Sequence, residues 1–199
     1  MNEASAKRYP IYLRILRNLY DKGIRYTQSK DLSELTNIES SIIRRDFSKF
    51  GKLGKKGKGY SIKNLITAIS KQLDADSQKE ELVIVGAGST LGKAFSNYNK
   101  WNNISGKVIC GFETYTVKDS KIPVYDLKDF KLKKPENCKI AIVCTYKHTQ
   151  NIVNMLVSNG ITGIINYSSE PFTVPNTVIV INSDLSSNIQ QMIVRLNHE

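Results

Sequence analysis

The residues with the clearest chemistry in this chain are three glycines, one carboxylate and a cluster of arginines and lysines. Gly86, Gly88 and Gly92 lie in the run Gly86-Ala87-Gly88-Ser89-Thr90-Leu91-Gly92. Glycines so placed permit a tight turn and let a pyrophosphate approach the start of a following helix, whose free N–H groups and dipole favour anions. Glu113 lies about 20 residues past the loop, where an acid commonly accepts hydrogen bonds from an adenosine ribose. Its charge would repel a 2′-phosphate, so the expected ligand is NAD(H) rather than NADP(H). The glycines stand one residue further apart than in G-x-G-x-x-G, a difference that a wider loop can absorb or that shifts the pyrophosphate seat. A turn of this kind that binds nothing is the alternative, and the flanking elements weigh against it.

Those elements form a βαβ unit. Leu82-Val83-Ile84-Val85 is too short for a typical helix and rich in β-branched residues, so it reads as a buried parallel strand leading into the loop. A helix-compatible segment follows, then a second apolar run, Val108 to Phe112, that ends at Glu113. Ile140 to Cys144, Gly163 to Asn166 and Val178 to Ile181 continue the strands, with a helix from Thr149 to Ser158 between them. Strands alternating with helices predict a mostly parallel sheet that binds ligands at its carboxyl ends. Thr145, Tyr146 and Asn166 sit at such ends and are candidates for the nicotinamide side of the pocket. A last amphipathic helix runs from Ser183 to Leu196, with Leu185, Ile189, Met192, Ile193 and Leu196 apolar.

The basic residues belong to a different region. Net charge is +11, and residues 1–80 carry 17 Lys/Arg against 9 Asp/Glu, whereas residues 81–199 carry 12 against 9. From Arg44 to Lys63 there are eight bases and a single acid, Asp46. A one-signed surface of this kind is the footprint of a polyanion, since a merely solubilising face mixes both signs. Helical spacing runs from Arg8 to Lys22, with Gly23 as a natural stop. Ser29 is the expected N-cap of a short helix, Lys30 to Leu35, and a further helix runs from about Glu39 to Lys49. Two short helices joined by a tight turn make a helix-turn-helix. On the second of them Ile43, Phe47 and Phe50 share one face, while Ser41, Arg44, Arg45 and Ser48 lie roughly opposite, with Ser40 at the start. Arginine can pair bidentately with guanine, and serine can bond phosphate or base edges.

Phe50 to Tyr60 holds four glycines and four lysines in eleven residues, too polar to pack a core. It reads as a wing: a twisted hairpin whose Lys55, Lys56, Gly57, Lys58 and Tyr60 lie along phosphates and add salt-sensitive affinity. Ser61 to Leu73 closes the domain as an amphipathic helix, and 74–79 is the polar linker.

Composition excludes several classes. The chain has no run of about 18 apolar residues to span a membrane, and its first residues lack an apolar signal core, so a cytoplasmic protein is expected. Cys110, Cys138 and Cys144 show no CxxC spacing and lie in or beside apolar runs, which suits small buried residues in a reducing compartment. With only His148 and His198, no metal site is expected.

Taken in order along the chain, these segments resemble the Rex family of bacterial redox-sensing transcriptional repressors. The resemblance is carried by Arg8-Tyr9-Pro10-Ile11-Tyr12-Leu13-Arg14, Arg44-Arg45-Asp46-Phe47-Ser48, Phe50-Gly51…Gly54…Gly57…Gly59-Tyr60, Val85-Gly86-Ala87-Gly88…Leu91-Gly92-Lys93-Ala94 and Gly111-Phe112-Glu113. Ile122-Pro123-Val124-Tyr125, Gly160 to Asn166 and Asp184-Leu185 follow in the same order. It implies an α/β protein with an N-terminal winged helix-turn-helix domain at 1–76 and a C-terminal Rossmann-like NAD(H)-binding and dimerisation domain at 80–199. The C-terminal helix, 183–197, would be exchanged between the subunits of a homodimer. It further implies binding to palindromic operators in double-stranded DNA, with NADH closing the dimer and drawing the recognition helices out of register. Arg14, Tyr98 and Asp184 match the positions that couple the two events.

Two other readings stay open. The chain departs from the family pattern at the glycine loop, at Ser168-Ser169 where Ala-Pro is usual, and at Tyr146-Lys147, which suits a Rex-like regulator whose ligand binding is weakened or altered. An NAD-dependent oxidoreductase is the remaining class. Hydride transfer needs a proton relay, and no His–carboxylate or Tyr-x-x-x-Lys constellation follows the sheet, so a non-enzyme is expected.

Overall fold

The computed structural model describes residues 3–51, 53–55, 57–73, 80–97 and 106–198. Lys56, Tyr98 and the polar segment 74–79 lie outside the described residues. The chain divides into two compact units, 1–78 and 79–199.

In the first unit, α1 (Glu3–Asp21) buries Tyr9, Tyr12, Leu13 and Leu16. It begins at Glu3 rather than at the expected Arg8, and so carries Pro10 in its interior. Proline removes one intrahelical hydrogen bond, and the additional first turn is held from outside, where Lys49 Nζ donates to Ser5 Oγ at 3.1 Å. Gly23, at φ +85°, ends the turn after the helix. α2 (Ser29–Thr36) also starts one residue early. Its N-cap is Gln28, not Ser29, because Asp31 accepts from the Gln28 amide at 2.8 Å and closes a capping box.

Asn37, in the left-handed region at φ 53°, turns the chain into α3 (Ser40–Ser48). α4 (Ile62–Gln72) is capped by Ser61 Oγ, which accepts from the Asn64 amide. Its Ile62, Leu65 and Ile69 join Leu32, Ile43, Phe47 and the α1 residues in one core, where each fully buried aliphatic side chain contributes about 1.5–3 kcal/mol. β1 (Tyr26–Thr27), β2 (Gly54–Lys55) and β3 (Gly59–Ser61) pair antiparallel in the order β1-β3-β2. Three helices, a closing helix and this small sheet make a winged helix-turn-helix.

The second unit is a six-stranded sheet of β4 (Glu80–Val85), β5 (Gly106–Glu113), β6 (Val124–Asp126), β7 (Ile140–Val143), β8 (Gly163–Asn166) and β9 (Ile179–Asn182). Every pairing is parallel, and the order is β6-β5-β4-β7-β8-β9. Successive residues of β4 point to opposite faces. Val83 and Val85 enter a core with Phe112, Phe130, Val153 and Leu156, while Leu82 and Ile84 enter another with Leu91 and Phe95. α5 (Thr90–Asn97) follows the glycine loop, α6 (Phe130–Lys133) follows β6 after a 3-10 turn, and α7 (Thr149–Ser158) joins β7 to β8. The strand order reverses between β4 and β7, which is the switch point where sheets of this type bind dinucleotides. α8 (Leu185–Leu196) has no buried residue.

Candidate functional site

At the switch point, the loop after β4 uses each glycine for a stated reason. Gly86 has φ +83°, and a Cβ there would lie 2.7 Å from the Cys144 carbonyl oxygen, so the turn is pressed against the end of β7. A Cβ at Gly92 would collide with the Gly86 carbonyl oxygen. Gly92 thus lets α5 start tight against the turn, the task of the third glycine in a dinucleotide loop. The wider spacing is therefore taken up within the loop, and the third glycine keeps its role. Ser89 does the taking up. Its hydroxyl donates to the Gly86 carbonyl at 2.8 Å and accepts from the Gly92 amide at 3.0 Å, capping α5. Thr90 and Leu91 supply the other first-turn amides, which helix geometry leaves without intrahelical acceptors.

Glu113 ends β5 beside this loop. One carboxylate oxygen accepts from the Gly88 amide at 3.0 Å and the other from the Thr114 amide at 2.8 Å. Two amides hold the acid at the rim of the turn. Ala87 is buried, with its methyl packed over Gly111. The tight glycine turn, the helix start and the fixed carboxylate suit a dinucleotide, whose phosphates would meet Gly86, Gly88, Ser89, Thr90, Leu91 and Gly92 and whose ribose would meet Glu113. Tyr115 is the exception, because its phenol covers the open face of Gly88.

The residues proposed for the nicotinamide side are placed differently from one another. Thr145 and Tyr146 follow β7. The Thr145 hydroxyl is 3.3 Å from that of Thr149, and Tyr146 is well exposed. Asn166 is buried and engaged: its amide donates to Asn182 Oδ1 at 2.8 Å, and its oxygen accepts from the Ser168 amide and hydroxyl. It ties β8 to β9, which leaves little of it for a ligand. Glu170, absent from the sequence reading, accepts from the Thr149 amide at the start of α7 at 2.9 Å, and that bond chiefly holds its carboxyl below the usual range. Cys110 and Cys144 are buried, and burial pushes their thiols up to about 11 and about 12. Neither is a reactive thiolate.

In the winged-helix unit α3 presents Ser41, Arg44, Arg45 and Ser48 to solvent and buries Ile43, Asp46 and Phe47. Arg44 is pre-set: one guanidinium nitrogen lies 3.3 Å from both Ser29 Oγ and Ser40 Oγ, spanning the starts of α2 and α3. Ser48 Oγ donates to the Arg45 carbonyl at 2.8 Å and keeps a lone pair outward.

Behind the helix, Arg8 clamps Asp46 with two hydrogen bonds of 2.6 and 2.8 Å, and the Tyr12 hydroxyl donates to the same carboxylate at 3.1 Å. The sequence offered one clue to this network, a lone acid among eight bases. Lys58 is exposed on the wing, near the Tyr26 ring. The wing is anchored from inside. The Tyr60 ring packs edge-on against Phe47 at 5.2 Å, and a Cβ on Gly59, which has φ +81°, would collide with the Thr27 carbonyl oxygen. The Tyr60 ring therefore fastens the wing to α3.

Among the described residues no helix is long and apolar enough to cross a membrane, and no cluster of His, Cys, Asp or Glu could hold a metal ion. Residues 2–48 match a family of putative DNA-binding protein N-termini. The chain is 36% identical over 202 residues to the redox-sensing transcriptional repressor Rex of Exiguobacterium sibiricum, covering 98% of this chain and 91% of that one. To the Rex of Bacillus subtilis it is 34% identical, covering 98% and 92%. Among solved structures, RSP, a Rex-family repressor, in complex with β-NAD⁺ and operator DNA superposes with a TM-score of 0.81 at 29% identity, covering 100% of this chain and 93% of that one. RSP in complex with β-NADH superposes at 0.79 and 28%, covering 100% and 95%. With relatives of this identity over nearly its whole length, and with both a winged helix and a dinucleotide cradle in place, the chain belongs to the Rex family of redox-sensing transcriptional repressors.

Proposed function

We propose that this protein represses transcription by binding operator DNA through α3 and the wing, and that it lets go when NADH occupies the loop between β4 and α5. The observation that carries the reading is the cradle: three glycines whose Cβ positions are closed to side chains and a carboxylate fixed by two amides, at the switch point of a parallel sheet. In RSP the same fold is found with β-NAD⁺ and operator DNA together, and with β-NADH.

The working form is a homodimer on a palindromic operator. Its support is α8, whose Leu185, Ile189, Met192, Ile193 and Leu196 are 45–72% exposed. An apolar stripe of that length calls for cover, and a second copy that exchanges the helix supplies it. Arg14 is exposed on α1, and Asp184 caps α8. Together with Tyr98, which lies outside the described residues, they match the positions that couple NADH to DNA release in the Rex family, and we give them that role here. A ligand moves such an equilibrium only by preferring one dimer arrangement. The protein works in the cytoplasm and catalyses no reaction of its own.

One observation favours a second reading, a Rex-like regulator with altered ligand binding: Tyr115 covers Gly88. Fluorescence anisotropy of a labelled operator duplex, titrated with NADH and separately with NAD⁺, tests both. Release by NADH and retention with NAD⁺ is the expected result. DNA held at saturating concentrations of both nucleotides would select the second reading, and consumption of NADH with a small substrate would point to an oxidoreductase.

A further inference from the structure

The second glycine of a dinucleotide loop is there to keep one face of the backbone bare for the ligand. In this chain the face is filled. A Cβ built on Gly88 would lie 2.5 Å from the hydroxyl oxygen of Tyr115, 2.7 Å from Cζ and 2.9 Å from Cε2, so the tip of the phenol stands in the space that glycine leaves open.

The filling group comes from the loop that follows Glu113, and only its tip is engaged. Tyr115 is 58% exposed, belongs to none of the hydrophobic clusters, and sits in a segment without strand or helix. Its neighbours are the Gly88 backbone, at the phosphate end, and the Glu113 carboxylate two residues before it, at the adenosine ribose. Burial and the nearby Glu113 charge both raise the phenol's pKa, so it stays a neutral O–H donor. A neutral hydroxyl beside that carboxylate offers it what a ribose hydroxyl would offer.

We propose that Tyr115 is an internal occupant of the adenosine end of the cradle, a plug that an adenine nucleotide must displace, and that it sets how tightly this chain binds such nucleotides. The inference rests on the dinucleotide reading of the loop and adds a regulator to it. Because the ring and a nucleotide exclude each other from the face of Gly88, the apparent affinity is the intrinsic affinity reduced by the fraction of molecules with the ring swung away. A ring held only at its tip leaves that fraction appreciable, so the plug tunes binding without abolishing it. It raises the nucleotide concentration at which the protein responds.

Calorimetric titration of the full chain with NADH and with ADP-ribose, for the wild type, Tyr115→Ala and Tyr115→Phe, tests this. Tyr115→Ala should bind both nucleotides about 3- to 10-fold more tightly, corresponding to a ring that is out in roughly a tenth to a third of molecules. Tyr115→Phe keeps the ring but loses the hydroxyl that holds its tip, and should gain less than Tyr115→Ala, falling between it and wild type. The gain should be equal for NADH and ADP-ribose, since they share the adenosine half. A gain for NADH alone, an unchanged affinity, or weaker binding by Tyr115→Ala (a ring that stacks on the ligand) would each overturn the plug. If wild type and Tyr115→Ala have the same melting temperature and neither binds either nucleotide, the cradle reading itself fails and takes the plug with it. That outcome is separable from the others, in which the wild type binds.

Discussion

A carboxylate with no solvent exposure, set among bases, has to be held by partners, and Asp46 is held by several. Burial pushes its carboxyl up, but the hydrogen bonds and charge of Arg8, the Tyr12 hydroxyl and Lys49 outweigh that and leave it below the usual carboxylate range. The same interactions raise the Tyr12 phenol, chiefly by burial and then by the Asp46 charge. Removing one partner of such a buried pair leaves the other uncompensated, which costs about 3–5 kcal/mol. Asp46→Asn should therefore lower the denaturant midpoint of the winged-helix unit strongly near neutral pH.

The sign of the pH effect follows from the depressed pKa. Asp46 stabilises the fold at pH values above the unfolded carboxylate range, and that contribution is lost as pH falls through the folded value. The gap between wild type and Asp46→Asn should thus shrink as urea melts are repeated toward acid. A gap that stayed constant would mean that the charge is not what Asp46 contributes. The sequence hinted at this site, since Asp46 stands alone among bases. Its partner is 38 residues away on α1, however, and only the packed helices bring Arg8 to it. Gly92 was readable as part of the loop, but the serine cap that absorbs the extra residue was not, because it depends on where one hydroxyl points.

At the scale of elements, the proposed function divides the work on DNA between α3 and the wing. Arg44 is held across the starts of two helices by Ser29 and Ser40, so little side-chain entropy remains to be lost when it meets a base edge. Lys58 is exposed between β2 and β3, and on the proposed reading it offers a positive charge to the phosphates. Arg44→Ala should cost ~1–3 kcal/mol on operator and blur sequence preference. Lys58→Ala should weaken operator and random duplex alike and reduce the slope of log K against log salt by about one. Binding isotherms at several salt concentrations separate the two. A sequence-dependent loss at Lys58 would move it from the phosphates to the bases. Most of these elements were legible, because apolar runs and helical spacing mark buried faces whatever the tertiary context. Their starts were less so. The first helix begins at Glu3, five residues before the apolar spacing that marks it, and the capping box at Gln28 is closed by Asp31, a residue inside the helix it begins.

For the whole molecule the question is how a nucleotide in one unit changes DNA binding by the other, and Asp184 is where the proposed coupling meets a structural duty. The resemblance to Rex gives Asp184 a role in transmitting the signal, whereas the structure shows its carboxylate accepting from the Ser187 amide at 3.1 Å as the N-cap of α8. The two roles are separable by chemistry. Asparagine caps a helix about as well as aspartate, whereas alanine forfeits about 1 kcal/mol. Asparagine has no charge with which to hold an arginine, and a bidentate Arg–carboxylate pair is lost all at once when that charge goes. Asp184→Asn should therefore fold and bind NADH as the wild type does, yet require much more NADH to leave its operator. Asp184→Ala should lose the same response and also melt earlier. The measurement is paired: NADH affinity by calorimetry and operator release by anisotropy, for each variant. If Asp184→Asn released DNA normally while Asp184→Ala did not, the residue would be a cap alone. If NADH affinity and release fell together in Asp184→Asn, it would belong to the nucleotide site. Only a loss of release at intact affinity locates the coupling at the start of α8, on the one helix of the described chain whose apolar stripe awaits a partner.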